Sequence, residues 1–187
     1  MIEKLGSIET SHMSIKELQL KVNEIIDHLY REDKKAPETW TVKIRKGQTI
    51  EGTLRECGKL FKVWWYTDSD LDELVTSDRN SSEAYKVSFR VNVEADEGLK
   101  NKSAEDLERE GIKGITLLER LQLEVDYFKS ASKHLDIESW TLCSGSRDSD
   151  GGVPSVVWGG GEVRVYWYGV GVRYGNIRSR QVVNLVP

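Results

Sequence analysis

The amino-acid sequence predicts an α+β domain. Three observations carry the prediction: two helices with readable caps lie in the middle of the chain, period-two alternation precedes them, and short strands broken by glycine-rich loops follow. A chain of 187 residues, 38% hydrophobic and 31% charged, has room for one domain with a sizeable core and a small appendage. Its net charge of -4 supplies no global attraction to nucleic acid or anionic lipid. Cys57 and Cys143 are too few for a disulfide framework, so packing must supply the stability, and two buried free thiols are expected rather than a bridge. No run reaches the length of a membrane span and the start lacks a hydrophobic signal core. Membrane insertion is not expected, and the chain reads as cytoplasmic or virion-associated.

Taken in order, residues 1–12 have the small, polar look of a vector-derived leader and carry no fold information. Residues 13–36 hold a helix: Ile15, Leu18, Val22, Ile25 and Leu29 recur at three- and four-residue steps, behind a capping box of Ser14 and Glu17. Such a stripe suits either a helix packed on its own domain or a short coil that makes a homo-oligomer, and its length does not separate the two. The domain proper is read as residues 37–187. TWTVKIRKGQTIEGTLREC alternates around Lys46-Gly47 and predicts a β-hairpin. LFKVWWYT predicts a third strand, DSDLDELVTSDRNSS a long polar surface loop, and YKVSFRVNVEA a return to period two. Ser103 with Asp106 starts a short helix that stops at Gly111; Thr116 with Glu119 caps a longer one whose buried face carries Leu117, Leu121, Val125 and Phe128. From Trp140 onward SWTLC, VPSVVW, VRVYWY and IRSRQVV predict short strands.

Chemical motifs are sparse. GTLRECGKL approaches a phosphate loop, but five residues separate Gly52 from Gly58 where four are needed, and Leu60 replaces the magnesium-binding hydroxyl. DSDLDELVTSDR approaches a calcium loop, yet Glu73 stands where the turn needs glycine and Arg79 where a bidentate carboxylate belongs; it reads as a solvated acidic loop. His12, His28 and His134 have no partner at metal-ligand spacing. Cys143 and His134 would make a nucleophile and base only if both were accessible, and a cysteine inside SWTLC reads as buried and inert. Glu94, Asp96 and Glu97 read as wet carboxylates at a strand end. No catalytic residue, metal or cofactor is assigned, and an enzyme is not expected.

The densest signal lies between Val163 and Arg180, where four aromatics and four arginines are interleaved with glycine. Strand alternation splits it: Val163, Val165 and Trp167 face one side, Arg164, Tyr166 and Tyr168 the other. VPSVVW divides the same way, with Val156 and Trp158 inside and Ser155 and Val157 outside. If WGGGEV is the connecting turn, the outward rows make one patch bordered by SRDSDGG and GVGVRYGN. Tyr, Arg, Ser, Asp and Gly are typical of recognition surfaces and poor at packing a dry core.

The succession VEADEGLKNKSAEDLEREGIKGITLLERLQLEVDYF, HLDIESWTLCSGSRDSDGGVPSVVW, VRVYWY and IRSRQVV resembles the variable target proteins of diversity-generating retroelements, found in archaeal viruses, archaea and small-genome bacteria. The resemblance covers roughly residues 85 to 183. It implies a C-type lectin-like fold with two main helices and short antiparallel strands, whose C-terminal strands and loops display a surface rewritten by error-prone copying at adenines, with a variable region at about 144–180. The implied ligand-binding positions are Asp148, Asp150, Gly151, Ser155, Val157, Gly159, Gly160, Arg164, Tyr166, Tyr168, Val170, Gly171, Val172, Tyr174, Gly175 and Asn176, on a fixed skeleton of Val153, Pro154, Val156, Trp158, Val163, Val165, Trp167, Arg178 and Arg180. The chain has neither a Glu-Pro-Asn nor a Trp-Asn-Asp motif, which argues against calcium-dependent sugar binding.

The expected function is therefore non-enzymatic binding of a protein or cell-surface ligand through the C-terminal patch. Nucleic acid is not the expected partner. The alternative from another class is a single-stranded nucleic-acid module that stacks bases on the same aromatics and holds phosphates with Arg164, Arg173, Arg178 and Arg180.

Overall fold

The computed structural model describes residues 14–33 and 38–187. The expected leader, Met13 and residues 34–37 lie outside the described residues, as do the side chains of residues 26–33, Leu29 among them. The chain divides into two units, one ending at Pro37 and one beginning at Glu38. In the first, helix α1 (Ile15–Asp33) starts on the predicted cap: Ser14 donates from its backbone N–H and its hydroxyl to Glu17 Oε2, both at 2.8 Å.

The second unit is α+β, as predicted. It runs β1 (Thr39–Ile44), α2 (Ile50–Leu60), β2 (Val63–Trp65), α3 (Leu71–Leu74), β3 (Val75–Ser77), β4 (Tyr85–Arg90), a 3-10 turn, α4 (Ala104–Arg109) and α5 (Leu117–Ala131). Then come β5 (Trp140–Leu142), β6 (Ser146–Asp148), β7 (Val153–Gly159), β8 (Glu162–Tyr168), β9 (Ile177–Arg178) and β10 (Asn184–Val186). The strands form an antiparallel sheet β1-β4-β10, a five-stranded sheet β2-β8-β7-β5-β9, and a β3-β6 pair. In the five-stranded sheet the centre is antiparallel, while β2 runs parallel to β8 and β9 parallel to β5. The main core gathers Val42, Ile44, Leu54, Val87, Phe89, Leu117, Leu121, Val163 and Val165 from α2, α5 and the inner faces of the two larger sheets.

The middle of the chain corrects four expectations. The segment after Lys46-Gly47 is not the second arm of a hairpin but helix α2, because Thr49 accepts from the Gly52 N–H as an N-cap and Ile50, Thr53, Leu54 and Cys57 recur on one buried helical face. The segment from Asp68 to Ser82 is not a long solvated loop. Leu71 and Val75 are buried within it, Asp72 accepts from the Ile50 N–H at 2.6 Å, and Arg79 makes a bidentate pair with Glu119 at 2.7 Å. The strand predicted through Ala95 ends at Arg90, leaving Val91 and Val93 exposed. Beyond it, two of the three carboxylates expected to be wet are staples, while Glu97 is exposed: Glu94 accepts from the backbone N–H groups of Ile137, Glu138 and Ser139, and buried Asp96 from Arg90 and the Gln181 N–H.

Both later helices start at the capping boxes read from sequence, Ser103–Asp106 and Thr116–Glu119. Helix α5 is buried from Leu117 to Val125 on every side, and Phe128 is half-buried. Its polar residues therefore sit in the interior and are paired. Arg120 donates to Glu124 at 2.7 Å and to Asp136 at 2.9 Å, Arg180 reaches Asp136 at 2.6 Å, and His134 Nδ1 lies 2.9 Å from Glu124. Four charges that balance two against two thus cross the core, all of them at most 1% exposed. Arg180, expected as skeleton, completes this network.

Candidate ligand-binding surface

Strands β7 and β8 are joined by Gly160-Gly161, whose φ angles of +65° and +82° make the tight hairpin that the glycines predicted. Register then sorts the side chains, because residues directly opposite share a face. Val163, Val165, Trp167, Val156 and Trp158 turn to the main core, joined by Val63 and Trp65 of β2. The outer face carries Arg164, Tyr166 and Tyr168 opposite Val157, Ser155 and Val153, and β2 adds Trp64 beside Arg164.

Across this outer face six aromatic rings form an unbroken chain. Centroids are 6.1 Å apart for Tyr66 and Trp64, 5.1 Å for Trp64 and Tyr166, 5.0 Å for Tyr166 and Trp140, 5.9 Å for Trp140 and Tyr168, and 5.9 Å for Tyr168 and Tyr174. Tilted contacts at these distances suit the ring quadrupoles. The ends are open: Tyr66 is 71% exposed, Tyr174 53% and Trp64 37%. The three central rings are half-buried by one another. Sequence reasoning placed Tyr166, Tyr168 and Tyr174 here and missed Trp64, Tyr66 and Trp140. The parity of Trp64 and Tyr66 in LFKVWWYT was a usable signal; the parallel partnership of β2 with β8 was not readable.

The outer face is less open than alternation suggests. Ser155 is 0% and Val157 6% exposed, a correction to their expected display. The physical reason is that Tyr166 on β8 and Trp140 on β5 flank β7 and meet above it. The Ser155 hydroxyl beneath them has no hydrogen-bond partner among the described residues. Because an unsatisfied buried hydroxyl is unfavourable, Ser155→Ala is expected to raise stability by about 1 kcal/mol in chemical denaturation.

At the β7 start the outer face closes over a second, smaller core of Ala104, Leu142, Val153 and Ile177. Val170 and Val172 pack onto it, so these two expected ligand positions serve partly as a lid on this core. The loop that carries them is held down at both ends. The Val170 carbonyl accepts from the Glu105 N–H at 3.2 Å, and Arg173 makes a bidentate pair with Asp106 at 2.5 and 2.7 Å. The Arg173 guanidinium, with hydrogen bonds from Ser103, holds the Asp106 carboxyl far below the usual carboxylate range. Asp106 therefore both caps α4 and anchors the loop. Gly171, Tyr174, Gly175 and Asn176 are exposed on that loop.

The remaining expected positions border the patch. Asp148 is half-buried and accepts from the N–H groups of Asp150 and Gly152 at 3.0 and 2.6 Å, so it shapes the loop in which Asp150 is exposed and Gly151 adopts φ +83°. Gly159 and Gly160 lie at the opposite end of the sheet, where a Cβ on Gly160 would stand 2.6 Å from the Arg164 guanidinium. The arginines are all engaged. Arg164 pairs with Glu162 at 2.9 Å, Arg173 with Asp106, Arg178 with Glu97 at 2.6 Å and Arg180 with Asp136.

Neither cysteine is placed for nucleophilic chemistry. Both are free and buried; burial pushes the Cys57 thiol up to about 12 and Cys143 higher still. His134 is stacked flat on Trp158, 3.4 Å between centroids. Among the described residues no cluster of His, Cys, Asp or Glu is arranged to hold a metal ion, and no helix is long and apolar enough to cross a membrane. No protein-family model, curated protein or solved structure matches the chain.

Proposed function

We propose that residues 38–187 are a non-enzymatic ligand-binding domain of C-type lectin type, that the outer aromatic face is its site for a protein or cell-surface ligand, and that a retroelement diversifies the region at about 144–180. The observation that carries this reading is the unbroken chain of six rings on the side of the five-stranded sheet turned away from the main core. Rigid aromatics that bury large area at low rotamer cost are the residues on which binding surfaces depend. Desolvating one such tyrosine against a partner contributes roughly 1.5–3 kcal/mol before ordering costs. The unpartnered Ser155 hydroxyl also suits a position filled by diversification rather than by selection for stability.

The nucleic-acid alternative loses its cationic half, because each of the four arginines it needs already has a carboxylate within 2.9 Å. Replacing Tyr166, Tyr168 and Tyr174 together with alanine is expected to abolish retention of surface proteins from host cells while the protein stays folded by circular dichroism. Unchanged retention would overturn the surface assignment. The retroelement is tested separately by flanking DNA, which should hold a near-copy of the 3′ coding end, altered at adenines, beside a reverse-transcriptase gene.

A further inference from the structure

We infer that the partner presents a basic polypeptide surface, with lysine or arginine side chains meeting both ends of the aromatic chain. The inference rests on the reading of the outer face as the ligand site and adds the charge of what binds there. The patch holds no excess of cations: Arg164 is paired with Glu162, and Arg173 and Arg109 share the Asp106 carboxylate, with Glu105 close to Arg173. Its carboxylates are not so balanced. Asp68 and Asp70 line a cleft with Trp64, and Asp148 and Asp150 sit in the loop that leads into Val153, the residue opposite Tyr168. Among the described residues no lysine or arginine nitrogen lies within 4.0 Å of any of these four. The surface is thus an apolar, electron-rich strip with unpaired negative charge at each end.

Complementary potentials steer encounter and select partners. A guanidinium or ammonium laid over Trp64 or Tyr66 gains the attraction of the ring face, and in this cleft it meets Asp68 and Asp70 as well. A nucleic acid meets repulsion at both ends, and a neutral sugar has no use for the four carboxylates. A second copy of this acidic chain is disfavoured by the same charges.

The test is a selection of random displayed peptides on the full chain. Recovered peptides are expected to be rich in lysine and arginine, to bind about tenfold more weakly at high salt, and to lose about tenfold in affinity for the variant D68N/D70N/D148N/D150N. Asparagine keeps the side-chain acceptors that Asp70 and Asp148 use toward backbone N–H groups, so the loops are retained. Neutral or acidic peptides, unchanged affinity for the asparagine variant, or preferred capture of single-stranded oligonucleotides or sugars would overturn the inference. The tyrosine variant separates the two readings. Binding lost in it but unchanged in the asparagine variant removes the basic partner and leaves the aromatic site standing; binding unchanged in both removes the site itself.

Discussion

Asp136→Ala is expected to lose about 3–5 kcal/mol of folding stability, the usual cost of stripping one partner from a buried ion pair. Asp136 is fully buried, accepts from Arg120 and Arg180, and takes a further hydrogen bond from Thr141. Removing its carboxylate leaves two guanidinium groups facing each other's charge with Glu124 alone to balance them. Asp136 also holds φ +54°, a conformation that Asp tolerates better than Ala. Chemical denaturation monitored by tryptophan fluorescence reads the loss directly; a change below about 1 kcal/mol would mean that the network is not the anchor its geometry indicates.

Glu119→Ala is expected to be comparably damaging, also about 3–5 kcal/mol. Its carboxylate satisfies the Arg79 guanidinium twice at 2.7 Å, the Tyr85 hydroxyl at 3.0 Å and the Thr116 N–H at 2.8 Å. Burial and the neighbouring Glu119 together push the Tyr85 phenol above its ordinary range, so the hydroxyl remains a donor. One substitution thus removes half of the α5 capping box and unfastens the segment around β3 from the helix. Glu119→Gln keeps an acceptor for part of this set and should recover part of the loss; equal loss in both variants would place the effect in packing instead.

These two residues also mark how far sequence reasoning reached. Glu119 was legible as a cap, because Thr-x-x-Glu before an apolar run has a local mechanism. Its partnership with Arg79 was not, since nothing local joins positions forty residues apart. Helix α2 was misread for a related reason: Ile50, Gly52 and Leu54 alternate as a strand would, and only Thr53 and Cys57, neither strongly apolar, distinguish the helical face. The outer and inner faces of β8 followed correctly from alternation, as did the turn at Gly160-Gly161. What alternation could not supply was the cover over those faces. Ser155 and Val157 were given the correct side and the wrong exposure, because rings from β5 and β8 close over them.

The parallel pairing of β2 with β8 also has a consequence in time. Val63 lies beside Val163 and Trp65 beside Val165, partners a hundred positions apart. Contacts of such separation close late, after the chain between them has been ordered, and during synthesis the second strand emerges only near the end. Trp64 and Tyr66 therefore wait, made early and unmatched, for Tyr166 to arrive. A chain cut short before β8 would carry three of the six rings in a surface that does not yet exist, so adhesion becomes a property of the finished molecule alone.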